Sequence, residues 1–327
     1  MYLPNDVEMS LWCEGYLSSA IIKGDINNIK GLLDLKDGRI DTERMFSTYL
    51  LIALDDEKIT EVLINDTKNR FPTNKFLNAS CSTSDINRVR KLLSKYTFSA
   101  TDLSHALSLA SSGRGFRVNE DAQKVETDFQ EVNEICTLLL SNPETDPTYN
   151  HNEAIIHACS MENIELVNML LKYPNINPVD QNGIALLRSI EKGRLDILEL
   201  LINNDHLKVL IKDNNATLSI VALVIEQGYA NLVKIIKFLL NNVHIDASVL
   251  NNKALIVAVK QLNDMKIEYD EACIYYNENP SDKDQLEWYE IAFNNCISVV
   301  ALLLNEEKVW NKLTNAQKVS YSSLIGG

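Results

Sequence analysis

Apolar positions along this chain recur in a pattern that copies itself. From Asn152 the order is Ala154, Ile155 and Ala158, a polar break at Glu162-Asn163, then Ile164, Val167 and Leu170-Leu171. Shifted by about 31 residues, Ala185, Leu186, Ser189, Leu195, Leu198 and Leu201-Ile202 fall under the same positions. Spacings of three and four put each set on one face of a helix. Each unit is therefore a helix, a tight break, a second helix and a polar connector, here the turn-rich Tyr173–Asn182.

The unit can be followed in both directions. Repeats are expected at 14–35, 45–66, 74–95, 101–142, 150–173, 181–204, 214–242 and 250–306, with a closing helix at 313–325. Two of them carry insertions. Residues 111–130, Gly-rich at first and then charged, separate the two helices of the fourth repeat. Residues 262–293 extend both helices of the eighth, with a turn at Asn277–Asp282 forced by Pro280 and its polar neighbours. The expected fold is all-α: one helical solenoid over 1–327 with about eight helix pairs. A single repeat buries too few apolar side chains to offset the entropy of ordering it, so neighbours must supply the remaining contacts.

The units resemble ankyrin repeats. The family's first-helix alanine matches Ala20, Ala110, Ala158 and Ala258. Its break matches Gly24-Asp25, Glu162-Asn163 and Gly193-Arg194, and its second helix matches Ile26, Ile29 and Leu32-Leu33 as well as the two central units. Asp146-Pro147 and Asn177-Pro178 look like the start of the family's finger. The Thr-Pro pair that opens the first helix is missing throughout, with Glu153-Ala154 in its place, so irregular repeat ends are expected. In style the Asn-x-Ala variant is similar to divergent arrays of large viruses, bacteriophages and intracellular bacteria. The tetratricopeptide repeat is the rival, but its Trp…Leu-Gly…Tyr signature is absent. The resemblance implies a non-enzymatic protein-binding scaffold whose concave side is built from first helices and fingers. Tyr149, His151, Asn175, Asp180, Gln181 and Asn182 are the contact positions it points to.

Charge narrows the partners. The 31 basic and 45 acidic residues give a formal net of −14, which repels a phosphate backbone and favours basic protein partners. The longest apolar runs, Leu218–Ile225 and Ile297–Leu304, are far shorter than a membrane span. The N-terminus has no basic flank or apolar signal core, so a cytosolic protein of the producing or host cell is expected. The six cysteines, Cys13, Cys81, Cys136, Cys159, Cys273 and Cys296, form no C-x-x-C pair. They are expected as buried free thiols, with a disulfide or zinc site as the alternative.

Catalytic constellations are scarce. There is no G-x-S-x-G, phosphate loop or H-E-x-x-H, and no cofactor is expected. His105, His151, His157, His206 and His244 are scattered over different repeats. Cys159 with His157 is the one candidate nucleophile pair, although neighbours on a helix point apart. Acidic pairs such as Asp55-Asp56-Glu57 and Glu306-Glu307 suit solvated faces, as does the basic cluster Arg88-Val-Arg90-Lys91. Both insertions depart from a plain scaffold. Arg114 and Arg117 in the first are candidates for an anion contact. The second concentrates Tyr269, Tyr275, Tyr276, Trp288, Tyr289 and Phe293 among carboxylates, which suits either a protein contact or packing between the two long helices. Alternatives to the scaffold are an effector that blocks a host protein, an acidic mimic of DNA, and an enzyme whose site is built by the insertions.

Overall fold

The computed structural model describes residues 15–34, 53, 56–66, 71–113, 129–205, 207, 220–227, 231–242, 245–278 and 283–325. Every regular element among them is a helix. They fall into two compact units, Met1–Leu170 and Leu171–Gly327. Arg114, Arg117, His206, His244, Cys13 and, in the expected repeat 45–66, residues 45–52, 54 and 55 lie outside the described residues.

The first unit opens with helical residues 15–22 and continues through α1 (Ile26–Asp34), α2 (Glu57–Ile64), α3 (Thr73–Ser82), α4 (Ile86–Lys95), α5 (Ala100–Ser111), α6 (Gln130–Leu140), α7 (Tyr149–Ser160) and α8 (Ile164–Leu170). First helices pack on first helices, α3 on α5 and α5 on α7, and second helices on second helices, α4 on α6 and α6 on α8. The apolar stripes meet between the layers, where Phe76, Leu77, Val89, Leu107, Ile135, Leu139, Ile155, Leu166, Val167 and Leu170 are fully or almost fully buried. On α8 the inward stripe is Leu166, Val167 and Leu170. Ile164 and Leu171, assigned inward by the repeat pattern, are half-exposed, because they stand at the two ends of a helix of only 7 residues.

The break between the two helices is the same device four times. Gly24, Ser84, Glu162 and Gly193 sit in the left-handed region at φ 68°, 57°, 63° and 71°. The next amides, of Asp25, Asp85, Asn163 and Arg194, turn back to the carbonyls of Ala20, Ser80, Ala158 and Ser189 at 2.8–3.0 Å. That closes the first helix with its orphan carbonyls satisfied. The same residue then opens the second helix. Side chains of Asp25, Asp85 and Asn163 accept from the amides of Asn28, Arg88 and Leu166 at 3.1, 3.0 and 3.1 Å.

Three repeats start alike, while α3 follows Pro72 without a side-chain cap and α5 opens with a Ser99–Asp102 capping box. Asn150-His151-Asn152, Gln181-Asn182-Gly183 and Leu250-Asn251-Asn252 each form three successive left-handed residues. In each, the third amide donates to a carbonyl four residues back, on Thr148, Val179 or Ser248, at 2.9, 3.0 and 3.2 Å. Two residues earlier Asp146, Asn177 or Asp246 accepts the backbone amide of that same Thr148, Val179 or Ser248. Asn and Gly tolerate this conformation best, and they occupy six of the nine positions.

The second unit holds α9 (Asp180–Glu191), α10 (Leu195–Ile202), α11 (Ile220–Gln227), α12 (Leu232–Leu240), α13 (Val249–Glu278), α14 (Lys283–Leu304), α15 (Glu307–Asn311) and α16 (Asn315–Ile325). The two long helices α13 and α14 span the expected eighth repeat and its insertion. Tyr269 stacks on Phe293 at 5.4 Å and Tyr276 Oη donates to Gln285 Oε1 at 2.7 Å, so α13 and α14 run antiparallel. A helix, α16, stands where a closing helix is expected and packs on α14. Helix α16 buries no residue, and it is Val309 and Leu313, around the unanticipated α15, that are buried. Asn252 Nδ2 donates to the Val309 carbonyl at 3.1 Å, tying α15 to the start of the eighth repeat.

Candidate partner-binding surfaces

Stacking the first helices brings one polar side chain after another into a row. Asn74 Nδ2 on α3 donates to Asp102 Oδ1 on α5 at 2.7 Å, and one turn further Asn78 Nδ2 lies 3.4 Å from His105 Nδ1. His105 faces the ring of Tyr149 at 6.0 Å. Ser108 on α5 donates to Glu153 on α7 at 2.7 Å, and His157 Nδ1 donates to the Ser108 carbonyl at 3.1 Å. These side chains cross-link successive repeats on the first-helix face of the first unit.

The row holds its carboxylates ionised. Burial alone would raise Glu153, but hydrogen bonds from Asn150 and Ser108 outweigh it, and its pKa lies below the usual carboxylate range. At Asp102 burial also pulls upward and is overcome by hydrogen bonds from Asn74 and from the Ser99 side chain and backbone. The sequence pointed to Tyr149 and His151 at the edge of this face but missed Asn74, Asn78, Asp102 and Glu153. Their signal is the register of short polar residues one repeat apart, visible only once the helices are stacked.

The finger residues divide by the left-handed turns. His151 and, in the second unit, Gln181 and Asn182 are exposed at those turns, and Asn175 is exposed on its connector. Tyr149 and Asp180 are half-buried at the starts of α7 and α9. The turn presents the middle residue outward while the third, Asn152 or Gly183, is buried.

The long hairpin resolves into two sets of rings. Tyr276 is buried, with Tyr275 edge-on at 5.0 Å, and Tyr269 and Phe293 stack between the helices. Trp288 is 60% exposed and Tyr275 53%, with Tyr289 edge-on to Trp288 at 5.0 Å. Tyr276, Tyr269 and Phe293 therefore hold the hairpin together, and Trp288 and Tyr275 face outward.

On the second helices of the first unit, charges pair across repeats. Second helices are zipped by Glu57 with Lys91, Glu61 with Lys95, and Arg90 with Glu134 at 3.0 Å, while Arg88 turns to Asp85 at 3.0 Å. The basic cluster is thus spent on neighbouring carboxylates. Cys159 is fully buried, burial pushes its thiol up to about 12, and His157 is engaged with the Ser108 carbonyl, so no Cys159–His157 nucleophile is assembled. Cys136 is likewise pushed up to about 12 by burial. Among the described residues no group of three or more His, Cys, Asp or Glu side chains could hold a metal ion, and no helix is long and apolar enough to cross a membrane.

Paired helices stacked in layers, with a left-handed break repeated four times and a left-handed finger turn ahead of three first helices, define an all-α repeat solenoid. A family model described as ankyrin repeats (3 copies) matches residues 128–213, so that stretch of the chain carries ankyrin repeats. Such repeats are protein–protein interaction modules. No curated protein and no solved structure matches the chain.

Proposed function

We propose that this chain is a non-enzymatic binding protein that holds a protein partner on the first-helix and finger face of its repeats, with the hairpin of α13 and α14 as a second contact. The row from Asn74 to His157 carries the proposal. It is a continuous polar face built from consecutive first helices and fixed by inter-repeat hydrogen bonds, so it is ordered before any partner arrives. Tyr149 and His151 supply side chains at its edge, and in the second unit Asn175, Asp180, Gln181 and Asn182 supply side chains on their own connector and finger. Trp288 and Tyr275 supply exposed rings on the hairpin. A net charge of −14 favours a basic partner.

The test is affinity capture with the full chain from the cells that make or receive it, followed by mass spectrometry. Two variants run alongside, Tyr149→Ala/His151→Glu and a replacement of 262–293 by a short loop. A partner retained by the wild type and depleted by either variant is the expected result. No partner at all, together with turnover by the purified protein, would overturn it.

A further inference from the structure

Within the second unit one face of the hairpin lacks a neighbour among the described residues. Between α13 and α14, and beside Leu232 at the start of α12, runs an open groove of about 480 Å³. Its floor is apolar, from Met265, Ala292 and the exposed Trp288 and Ile291, the last two 60% and 54% accessible. On its α13 wall stand Asp264 and Glu268, one helical turn apart and both exposed. Among the described residues neither carboxylate has a hydrogen bond or ion pair, and no cation lines the groove. Two like charges at this spacing repel. By contrast, Glu57, Glu61 and Glu134 on second helices of the first unit are each matched by lysine or arginine.

We infer that this groove takes a cationic amphipathic helix of the partner protein. The inference rests on the binding-scaffold reading above and gives its hairpin contact a chemistry. Two packed helices leave a furrow that a third helix fills, and in the first unit α5 is packed by α3, α6 and α7. Gln261 to Glu268 spans about 10 Å along α13 at 1.5 Å per residue, enough for two turns of a docked helix. The docked helix places large apolar side chains against Trp288, Ile291 and Met265 and its lysines or arginines against Asp264 and Glu268. An anionic segment meets two unpaired carboxylates. An extended segment finds no strand edge among the described residues to pair with.

The probe is a synthetic amphipathic peptide of about 18 residues, long enough to be helical, with a leucine stripe and a lysine face. It is compared by calorimetry with a scrambled peptide of the same composition and with a leucine–glutamate counterpart. The helical basic peptide is expected to bind the full chain at least about tenfold more tightly than the scramble, and Trp288→Ala to remove about tenfold of that affinity. Asp264→Asn with Glu268→Gln should weaken binding to a similar extent and flatten its salt dependence. Circular dichroism of each variant checks that the exposed substitutions leave the helices intact. Equal binding of the scramble, preference for the glutamate peptide, or indifference to Trp288→Ala in a folded variant overturns the inference. So does a wild-type dimer that Trp288→Ala dissociates, since the groove then belongs to a second copy. If the peptides fail while cellular capture still depends on 262–293, only the helix assignment falls. If capture is also indifferent to the hairpin, the hairpin contact falls with it.

Discussion

At the scale of single residues, the chain's most repeated device is a backbone conformation. Four breaks require a left-handed residue, and two of them use glycine while Ser84 and Glu162 carry side chains there. A Cβ in this region costs about 1 kcal/mol relative to glycine. Gly193 has open space where a Cβ would stand, so Gly193→Ala introduces the conformational cost without a clash. That variant should be destabilised by roughly 1 kcal/mol, and Ser84→Gly stabilised by a similar amount less the added freedom of the unfolded chain. Urea midpoints of both variants check the pair, and a Gly193→Ala midpoint equal to wild type would show that the turn does not demand glycine. The Gly24 and Gly193 breaks were visible in the sequence because glycine announces them. Those at Ser84 and Glu162 were legible only from their place in the repeat, since nothing in a serine or glutamate marks a positive φ.

At the scale of helices, second-helix packing contains one buried polar link. Asn163 caps α8 by accepting from Leu166, and its Nδ2 donates to Asn133 Oδ1 on α6 at 2.8 Å. Asn133 in turn donates to Glu165 at 2.8 Å. Asn163→Ala removes the cap and strands a buried acceptor on Asn133, a combined loss of about 2–3 kcal/mol. Asn133→Ala should cost less in the Asn163→Ala background than alone, because the link is already broken. A double-mutant cycle by chemical denaturation measures this, and strict additivity would mean that the two helices are not coupled through these amides. Helix existence and pairing were legible because apolar spacing alone specifies them. The left-handed starts at Asn150, Gln181 and Leu250 were not. A pattern centred on side chains registers Asn-x-Ala as the loss of Thr-Pro, whereas the structure uses the asparagines for their tolerance of αL. The polar row on the first helices was hidden for a related reason, since Asn74 and Asp102 are 28 positions apart and meet only through stacking.

At the scale of the whole chain, an excess of carboxylates coexists with a few that the fold depends on. Asp102 and Glu153 in the first unit and Asp246 in the second all have depressed pKa values. At Asp246 burial opposes the shift, and hydrogen bonds from the Ser248 hydroxyl and amide, with Lys308 at 3.1 Å, carry it. A carboxyl whose folded pKa lies below its unfolded value binds fewer protons when folded. Its contribution is therefore complete above the unfolded pKa, near 4, and disappears as the pH falls through the lower folded value. The remaining acidic side chains act in the opposite sense, because protonating them relieves the self-repulsion of a chain at −14. Stability should accordingly hold roughly level from neutral pH toward the isoelectric point near 4.9, then drop below about pH 4 as the three bonded carboxyls are titrated. Asp102→Asn isolates one of them. It should be less stable than wild type at neutral pH, and the gap should close toward about pH 2–3, where the wild-type side chain has also lost its charge. Asp102 is half-exposed, so the neutral-pH gap is modest, and its closing with acid is the informative quantity. A gap that stayed constant across the range would place the effect of the substitution in shape, outside the charge that the Asn74 and Ser99 hydrogen bonds hold on the first-helix face.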